Sequence, residues 1–352
     1  MQPINIAIAG AGFSSRVFHI PFLKQDARFN IVKVYERTSN NAAEWLPNAE
    51  TVRDFNALLT PEVDLVLITT PNQTHYAMVK ESLLAGKHVL VEKPLVATVA
   101  EAEELAELAK RQGKVLYVYQ NRRWDSHIAT AKSLMEQNLL GELVDCEIRF
   151  DRYAKEKNVK VWKESGELGT GLVYDLGVHL IDQALYLFGK PEAVYADVRY
   201  QHEGALVDDN FDIQLYYANG FKVVLKASRY AREPSPTFVL HGKLGSYLKQ
   251  TPDNQEDLLK NGVQPIGKDW NIEEKENWGI LHTEVEGNVV RQPYRNAEVS
   301  YQNLFDDLYQ AIAHNAEPII KLEDVIFVLK VIESVFESAK LGQHSNKDHF
   351  NE

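Results

Sequence analysis

The first third of the chain alternates between two hydrophobic periodicities. Short runs rich in β-branched residues read INIAIA, FNIVKVY, VDLVLITT, KHVLVE and KVLYVY. Between them, THYAMVKESLLAGK and TVAEAEELAELAKRQGK place apolar residues at helical spacing and reach a glycine, Gly86 or Gly113, as a helix stop. Strands that alternate with helices predict a parallel sheet with right-handed crossovers. The almost continuously apolar runs VLITT and HVLVE indicate strands that are buried on both faces.

Beyond about Tyr119 the pattern changes to long strands and amphipathic helices. We expect helices over HIATAKSLMEQNLLGE, LVYDLGVHLIDQALYLFG, YQNLFDDLYQAIAHN and LEDVIFVLKVIESVFESAK. We expect strands in VDCEIRFDRY, AVYADVRY, NFDIQLYYANGFKVVLKASRY and PTFVLHGKLGSYLK, where Asn219-Gly220 marks a hairpin. Residues 253–295 are polar and irregular, and we expect an insertion with short strands there. The pattern predicts a mostly antiparallel sheet with helices on one side.

Composition narrows the class of protein. A length of 352 residues suggests about two domains, and 45% apolar with 25% charged residues is typical of a globular protein. A net charge of -12 argues against a nucleic-acid partner, which needs a basic surface. The single cysteine, Cys146, excludes an intrachain disulfide framework and a thiolate metal cluster, and its apolar strand indicates a core residue rather than a nucleophile.

Targeting signals are not evident in the sequence. No basic region precedes the first apolar run, as a signal peptide would require. Apolar runs also fall short of the roughly 20 residues that a membrane helix needs. We therefore expect a cytoplasmic protein with no membrane partner.

The stretch GAGFSS follows the first predicted strand and opens a helix. In a phosphate-binding turn, Gly10 would make the sharp turn and Gly12 would let the backbone approach a pyrophosphate. Amides at the start of the helix, among them those of Phe13 and Ser14, would hold the phosphates. Ser15 stands where the usual pattern has a third glycine, and a small serine can serve the same helix–strand packing. The alternative is a plain loop softened by glycine.

The second predicted strand ends at Glu36-Arg37. An acid at this position can accept hydrogen bonds from an adenosine ribose, and it repels a 2′-phosphate, which favours NAD over NADP. Arg37 could stack on adenine, or pair with a 2′-phosphate if Glu36 turned away. The alternative for Glu36 is a solvated charge at a strand end.

Further motifs carry a family resemblance. TTPNQTH (69–75) follows the fourth predicted strand and VEKP (91–94) follows the fifth. With the glycine turn, and in this order, they resemble the Gfo/Idh/MocA family of nicotinamide-dependent sugar and inositol oxidoreductases. The segments YQNRRWDS, FDRY, YDLGVHLIDQ and VLHGKLGSYLK extend the resemblance over essentially the whole chain and are similar to the branch that includes the scyllo-inositol dehydrogenases. Ser15 and Glu36 depart from the pattern, and NADP-preferring members of this branch often have no acid at the latter position.

The resemblance implies an α/β protein of two domains. Residues 1–120 would form an N-terminal Rossmann dinucleotide-binding domain. Residues 121–352 would form a C-terminal α+β domain with a large, mostly antiparallel sheet that binds substrate and joins subunits into a homodimer or homotetramer. The implied activity is hydride transfer between a cyclic polyol or sugar and NAD or NADP. Two alternatives remain open: a non-catalytic sugar or nucleotide sensor with the same fold, and a glycosidase that uses NAD for transient oxidation.

Three residues are expected to carry the chemistry. By resemblance, Lys93 would hydrogen-bond the reacting hydroxyl, His179 would act as general base in oxidation, and Asp175 would accept hydrogen bonds from substrate hydroxyls. Asp175 and His179 lie four apart on a predicted helix, so they share a face. From spacing alone they could equally form a helix-face ion pair, or His179 could be a core histidine bonded to Asp182. No third ligand accompanies them, so no metal site is expected.

The remaining expected site residues fall into a cofactor group and a substrate group. The cofactor group adds Thr70, Pro71, Asn72, His75, Glu92, Gln120 and Trp162. The substrate group adds Arg122, Trp124, Arg152 and Tyr153, since a hydroxyl-rich ring suits hydrogen-bond donors beside aromatic faces. Asn72 to Thr74 could instead cap the next helix, and the substrate group could instead be interdomain packing.

Overall fold

A computed structural model of the chain describes residues 2–157, 161–342 and 345–346. The chain forms two compact units. The first comprises residues up to Asn121 together with Gln255–Asn271 and Ser300–Ile326, and the second comprises Arg122–Asn254, Ile272–Val299 and residues from Phe327 onward. Each unit is thus discontinuous in sequence. The division of function at residue 120 stays a prediction.

The first unit is built on a six-stranded parallel sheet with the order β3-β2-β1-β4-β5-β6. Its strands are β1 (Ile4–Ala9), β2 (Phe29–Tyr35), β3 (Glu50–Val52), β4 (Leu65–Ile68), β5 (His88–Val91) and β6 (Leu116–Val118). Every residue of β4 is buried, as the continuous apolar run predicts for a central strand covered on both faces. The order reverses between β1 and β4, and open α/β sheets bind ligands beyond the carboxyl ends of the strands at such a point.

Helices connect these strands as the sequence predicts. A π-helical turn (Ser15–His19) leads into α1 (Ile20–Leu23), and α2 (Ala42–Trp45), α3 (His75–Leu84) and α4 (Val99–Gln112) follow, with 3-10 turns at Phe55–Leu58 and Asn72–Thr74. The long helix α4 has complete end signals: the Thr98 hydroxyl accepts a hydrogen bond from the Glu101 amide at 3.2 Å, and Gly113 ends the helix with a φ of 61°.

The second unit contains a nine-stranded sheet with the order β14-β13-β12-β11-β7-β10-β9-β8-β15. Its strands are β7 (Leu143–Arg149), β8 (Ala193–Arg199), β9 (Asn210–Tyr216), β10 (Lys222–Ser228), β11 (Phe238–Gly242), β12 (Gly245–Lys249), β13 (Gly279–Val285), β14 (Asn288–Tyr294) and β15 (Ser345–Asn346). Only β7 and β10 pair in parallel, so the predicted mostly antiparallel sheet is confirmed. The predicted Asn-Gly hairpin joins β9 to β10, with Lys222 opposite Tyr216.

The other helices are α5 (Ser126–Glu136), α6 (Val178–Phe188), α7 (Gln255–Lys260), α8 (Gln302–His314) and α9 (Leu322–Leu341), with a π-helical turn (Val173–Gly177) before α6 and 3-10 turns at Asn121–Trp124, Val161–Glu164 and Lys275–Asn277. The short strands expected in 253–295 are two strands of seven residues, β13 and β14, which are as long as others of this sheet. Only one of the three buried positions of β13 is a large apolar residue, Leu281, and β14 is mostly exposed, so neither shows a clear hydrophobic alternation; pairing of β13 with β12 and β14 supplies the order. No helix of the described residues is long and apolar enough to cross a membrane.

Candidate active site

The two glycines of the turn after β1 differ in the space that a side chain would have. Gly10 has a φ of +103°, and a Cβ there would lie 3.1 Å from Thr69 Oγ1 and 3.2 Å from Thr70 Cγ2. A side chain at this position would therefore meet both strain and crowding. Gly12 is exposed, and nothing lies within 4 Å of where its Cβ would be. The protein itself does not require glycine at this second position, which leaves room for an approaching ligand.

Ser15 closes this turn with its hydroxyl. Its side chain is fully buried, the Oγ donates to the Gly10 carbonyl, and Oγ lies 2.6 Å from Thr69 Oγ1. The Thr69 hydroxyl also hydrogen-bonds the Gly10 carbonyl at 2.8 Å. The serine thus adds a link between the turn and the end of β4 that a glycine could not make, beyond the packing role predicted for it.

The Glu92 carboxylate connects three parts of the first unit. Its Oε1 accepts hydrogen bonds from the Ser14 hydroxyl in the glycine turn and from His19 Nε2 at 2.8 Å, and its Oε2 accepts from the Lys93 amide at 3.3 Å. Burial raises the pKa of Glu92, but hydrogen bonding and charge from His19, the Ser14 hydroxyl and the Lys93 ammonium outweigh it, so the pKa is lowered from its usual value. Glu92 is therefore an oriented anion beside Lys93. The Lys93 side chain is partly exposed, and the Lys93–Pro94 peptide bond is cis.

His19 is a site residue that sequence reasoning missed. It lies at the end of the π-helical turn, is fully buried, and packs against Tyr119 with ring centroids 4.1 Å apart and the rings tilted by 49°. Its partner Glu92 is 73 residues away in sequence, so no local spacing reveals the pair. A histidine within an apolar helical stretch could have indicated such a contact, because a buried ring nitrogen needs a polar partner.

Glu36 is buried and is engaged by its own loop. Its side chain accepts hydrogen bonds from the Ser39 hydroxyl at 2.7 Å, from the Asn41 amide at 2.9 Å and from the Ala42 amide at 3.1 Å. The alternative of a solvated strand-end charge is wrong, since only 3% of Glu36 is exposed. The carboxylate holds the loop that opens α2, while Arg37 is exposed. A ribose contact by Glu36 stays a prediction.

The TTPN loop is tied internally and to the turn after β5. The Thr74 hydroxyl lies 2.6 Å from Thr70 Oγ1 and 2.8 Å from the Pro71 carbonyl, and it makes no side-chain cap to α3. Thr74 thus serves the loop, not the helix. Asn72 begins the 3-10 turn before α3 and is half-buried, whereas Pro71 is exposed.

His75 joins two turns of the first unit. Its ring nitrogens lie 2.9 Å from the Pro94 carbonyl and 2.9 Å from the Thr70 carbonyl, and its side chain is fully buried. Burial lowers the pKa of His75, so the ring carries one proton in neutral solution and donates to one carbonyl at a time. A direct cofactor contact by this histidine stays a prediction.

In the second unit, Asp175 and His179 lie on two kinds of helix. Asp175 is in the π-helical turn, whereas His179 is in the first turn of α6 and is buried. Asp175 Oδ1 accepts a hydrogen bond from Lys163 Nζ at 2.8 Å. Asp182, considered as a partner of His179, makes two hydrogen bonds of 2.8 Å with the Arg123 guanidinium.

Asp208 holds the N-terminal end of this helix. Its Oδ2 accepts a hydrogen bond from the Val173 amide at 2.7 Å, and its backbone carbonyl accepts one from the Leu172 amide at 2.9 Å. Gly171, with a φ of +94°, lets the carboxyl come close, since a Cβ there would lie 2.0 Å from Asp208 Oδ1. Burial raises the pKa of Asp208 to about 7. The segment that carries Asp175 and His179 therefore rests on a carboxyl that titrates near neutrality.

Two of the predicted substrate residues, Arg122 and Arg152, lie over the ring of Phe150. The Arg122 and Arg152 guanidinium carbons lie 4.4 Å and 4.7 Å from the centre of its ring. Arg122 is buried and donates to Asp125 Oδ2 at 3.2 Å, whereas Arg152 is exposed. Stacking of two guanidiniums on one ring makes a donor-rich aromatic surface.

The other predicted residues of the second unit lie in different settings. Tyr153 is 44% exposed, and the Arg232 guanidinium lies 3.9 Å from its ring centre. Trp124 is buried, whereas Trp162 is half-buried beside Lys163. No group of three or more His, Cys, Asp or Glu side chains in the described parts of the chain could hold a metal ion.

The carboxyl edge of the first sheet has features that fit a dinucleotide. Gly12 leaves the turn open to phosphate approach, and the Phe13 side chain is exposed on it. Across the sheet, Gln120 follows β6 and is buried, and its Oε1 has no hydrogen-bond partner among the described residues. An amide oxygen of this kind can accept a hydrogen bond from a carboxamide, the polar group that nicotinamide presents.

Comparisons with known proteins agree with this geometry. A family model described as the NAD-binding Rossmann fold of an oxidoreductase family, GFO_IDH_MocA, matches residues 4–120, and the model of its C-terminal alpha/beta domain matches residues 132–346. Scyllo-inositol 2-dehydrogenase (NADP(+)) IolW of Bacillus subtilis is 33% identical over 97% of this chain and 95% of its own length.

Solved structures extend the likeness over the whole chain. A Bacteroides fragilis protein is 39% identical with a TM-score of 0.89, covering 98% of this chain and 99% of its own. An oxidoreductase from Bacillus cereus is 30% identical with a TM-score of 0.89, covering 97% and 98%. The predicted Rossmann fold with a C-terminal α/β domain is confirmed, and the chain belongs to the Gfo/Idh/MocA family of oxidoreductases.

Proposed function

We propose that this protein transfers a hydride between a cyclic polyol or sugar of the inositol type and a nicotinamide cofactor. The observation that carries the proposal is the Glu92 carboxylate, which accepts a hydrogen bond from Ser14 of the glycine turn and belongs to the residue directly before Lys93. It joins the residue expected to act on the hydroxyl to the turn expected to hold the phosphates. The B. subtilis relative, named for scyllo-inositol and NADP, supports the substrate class.

The proposed roles follow the family resemblance. The nicotinamide supplies the hydride acceptor when it is bound. Lys93 hydrogen-bonds the reacting hydroxyl and favours its deprotonated form, and His179 removes the hydroxyl proton as general base. Asp175 accepts hydrogen bonds from neighbouring substrate hydroxyls. Because Asp175 accepts from Lys163 at 2.8 Å, we expect the substrate to share that carboxylate with the lysine.

The cofactor choice rests on opposing observations. Glu36 places a negative charge after β2, which disfavours a 2′-phosphate and favours NAD. Its carboxylate already accepts three hydrogen bonds from Ser39, Asn41 and Ala42, so less of its acceptor capacity is left for a ribose. The next residue, Arg37, is exposed and could pair with a 2′-phosphate. We therefore propose NAD first and NADP as its competitor. NADP binding more than tenfold tighter than NAD would reverse this order.

Two other classes of function share the fold. A sensor of sugars or nucleotides would bind ligands without turnover, and the presence of Lys93, Asp175 and His179 together favours an enzyme over it. A glycosidase would oxidise and re-reduce its substrate, so that no reduced cofactor accumulates.

We also propose that the protein is cytoplasmic and forms a homodimer or homotetramer. A monomer mass by light scattering at micromolar concentration would count against the oligomer.

The test is nicotinamide absorbance with purified protein, each cofactor, and a panel of scyllo-inositol, myo-inositol, glucose and xylose. The proposal predicts stoichiometric formation of reduced cofactor with an inositol or sugar. Cleavage of an aryl glucoside tested beside the panel, without net reduced cofactor, would instead indicate the glycosidase. Cofactor binding with no turnover across the panel would favour the sensor.

A further inference from the structure

The His19 ring is held in one orientation by its surroundings. It is fully buried, its ring lies tilted against Tyr119 at 4.1 Å between centroids, and it meets Phe305 edge-on at 6.1 Å. It ends a π-helical turn, a helix irregularity that is frequent at functional sites. The packing therefore fixes which ring nitrogen faces which neighbour.

The two ring nitrogens have different environments. Nε2 lies 2.8 Å from Glu92 Oε1, whereas Nδ1 is buried and has no hydrogen-bond partner among the described residues. Leaving a buried nitrogen unpaired costs stability, and an aromatic ring such as Phe would fill the same space without that cost. The hydrogen bond to Glu92 is the polar interaction that explains a histidine here.

Glu92 lies in the half of the sheet where the nicotinamide of a dinucleotide is expected. It directly follows β5, on the β4-β5-β6 side of the point at which strand order reverses. Dinucleotides bind across that point with one mononucleotide on each side, and the glycine turn after β1 receives the pyrophosphate between them. An anion at the end of β5 therefore acts on the nicotinamide end of the cofactor, where the oxidised ring is cationic and the reduced ring is neutral.

We propose that His19 is a positioning residue that holds Glu92 as an oriented anion, and that this anion makes the protein bind oxidised nicotinamide cofactor in preference to the reduced form. The inference rests on the proposed function, because it assumes that a nicotinamide dinucleotide binds at this edge. It goes further by assigning a role in discrimination between redox states to a histidine outside the expected catalytic set. The Ser14 hydroxyl supports the same carboxylate oxygen, so His19 and Ser14 act together on Glu92.

The two amide analogues of histidine separate positioning from packing. The amide nitrogen of Gln corresponds in reach to Nε2, and that of Asn corresponds to Nδ1. Because the contact is made through Nε2, His19→Gln should keep the hydrogen bond, whereas His19→Asn and His19→Phe should lose it. A purely packing role would make the ring-preserving His19→Phe the mildest of the three substitutions.

The measurement is the ratio of dissociation constants of the reduced and oxidised cofactor, by calorimetry at pH 7 with the full-length protein, using NAD and NADH or NADP and NADPH. We expect the preference for the oxidised form to fall about tenfold in His19→Asn and His19→Phe, because each loses a hydrogen bond that orients the charged carboxylate, and to stay within about threefold of wild type in His19→Gln. Glu92→Gln should lose the same preference. Adding His19→Phe to Glu92→Gln should change it no further.

The outcomes separate the two proposals. Wild-type protein that binds neither cofactor form overturns the proposed function, and this inference with it. Binding of both forms with a ratio unchanged in His19→Phe and in Glu92→Gln overturns the inference alone. If His19→Phe and His19→Asn do not fold, Glu92→Gln decides: retention of the wild-type ratio rejects the proposal, and its loss, with the ratio kept in His19→Gln, supports it.

Discussion

The two units hold their candidate residues in different ways. In the first unit, the Glu92 carboxylate accepts hydrogen bonds from Ser14 and His19, which lie 78 and 73 residues away in sequence, and from the amide of the adjacent Lys93. In the second unit, the candidate residues make separate contacts: Asp175 accepts from Lys163, and Arg122 and Arg152 lie over Phe150. A carboxylate with several partners allows little variation without loss of the whole arrangement, whereas separate contacts can change one at a time. We infer that the first unit provides a fixed cofactor chemistry and that the second unit determines which substrate is accepted.

The sharpest test of this contrast is Lys93→Met. The substitution keeps the length of the side chain and removes the ammonium, so we expect turnover to fall by about 10²–10⁴ with cofactor affinity nearly unchanged. Steady-state rates and calorimetric titration measure the two effects. Lys80→Met, at a partly exposed lysine of α3 paired with Glu104, is the matched control and should retain turnover. Near-normal turnover in Lys93→Met would remove this lysine from the mechanism.

Asp208→Asn tests the support of the helix in the second unit. The folded-state pKa of about 7 lies above the ordinary value of 3.8, so the native state binds the extra proton between these pH values. The free energy of unfolding of the wild type therefore falls as pH rises from about 4 to 7. Asparagine does not ionise, so the variant does not lose stability in this range, and its side-chain oxygen still accepts the hydrogen bond from the Val173 amide. We expect Asp208→Asn to be more stable by about 2–4 kcal/mol at pH 8 and nearly equal to wild type at pH 4.

Urea unfolding at the two pH values measures this difference. Asp212→Asn, at a partly exposed carboxylate paired with Lys226, serves as control and should cost at most about 1 kcal/mol at pH 8. A variant Asp208→Asn that is less stable than wild type at pH 8 would show that the ionised carboxylate supports the helix better than a neutral amide.

The next test uses the two glycines of the turn. Gly12→Ala meets no atom within 4 Å in the protein, so its melting temperature should stay close to that of wild type while cofactor affinity falls at least about tenfold. Gly10→Ala should lose stability as well, by about 1–3 kcal/mol, because of its positive φ and the contact with Thr69.

Gly113→Ala is the matched control for the positive φ, since nothing lies within 4 Å of its Cβ position. It should lose stability without losing cofactor affinity. Calorimetry and thermal melts measure the series. An unchanged cofactor affinity in Gly12→Ala would favour the alternative of a plain loop.

The smallest expected effect concerns Ser15. Ser15→Ala removes the hydrogen bonds to the Gly10 carbonyl and the Thr69 hydroxyl and leaves both carbonyl and hydroxyl with one partner fewer. We expect a loss of about 1 kcal/mol in the free energy of unfolding, measured with urea. An unchanged free energy of unfolding would indicate that Ser15 serves only the helix–strand packing that the sequence predicts.

The sequence predicts much of the fold because its strands and helices are strongly periodic. The runs INIAIA and FNIVKVY coincide with β1 and β2, and Gly113 marks the end of α4. β3 has only three residues, too few to show a period, the buried positions of β13 include a glycine and a threonine, and β14 is mostly exposed. Short or exposed strands take their order from pairing, which a local pattern does not record.

The candidate site was predictable as a set of motifs but not as a network. Lys93 and the glycines are recognised by their positions after strands. The His19–Glu92 and Ser14–Glu92 contacts span 73 and 78 residues, so only the folded chain reveals them. The partners of Glu36, in contrast, are close in sequence, but they lie in a loop without a periodic pattern, so they too were not predicted.

The central claim is direct hydride transfer with net formation of reduced cofactor. The most direct measurement uses a polyol or sugar from the panel, deuterated at the carbinol carbon, in a single turnover with the wild-type protein. The account predicts one deuterium at C4 of the nicotinamide for each substrate oxidised, with a slower rate than for the protonated substrate where chemistry limits turnover. Reduced cofactor without deuterium, or conversion of the substrate with no net reduced cofactor, would contradict it.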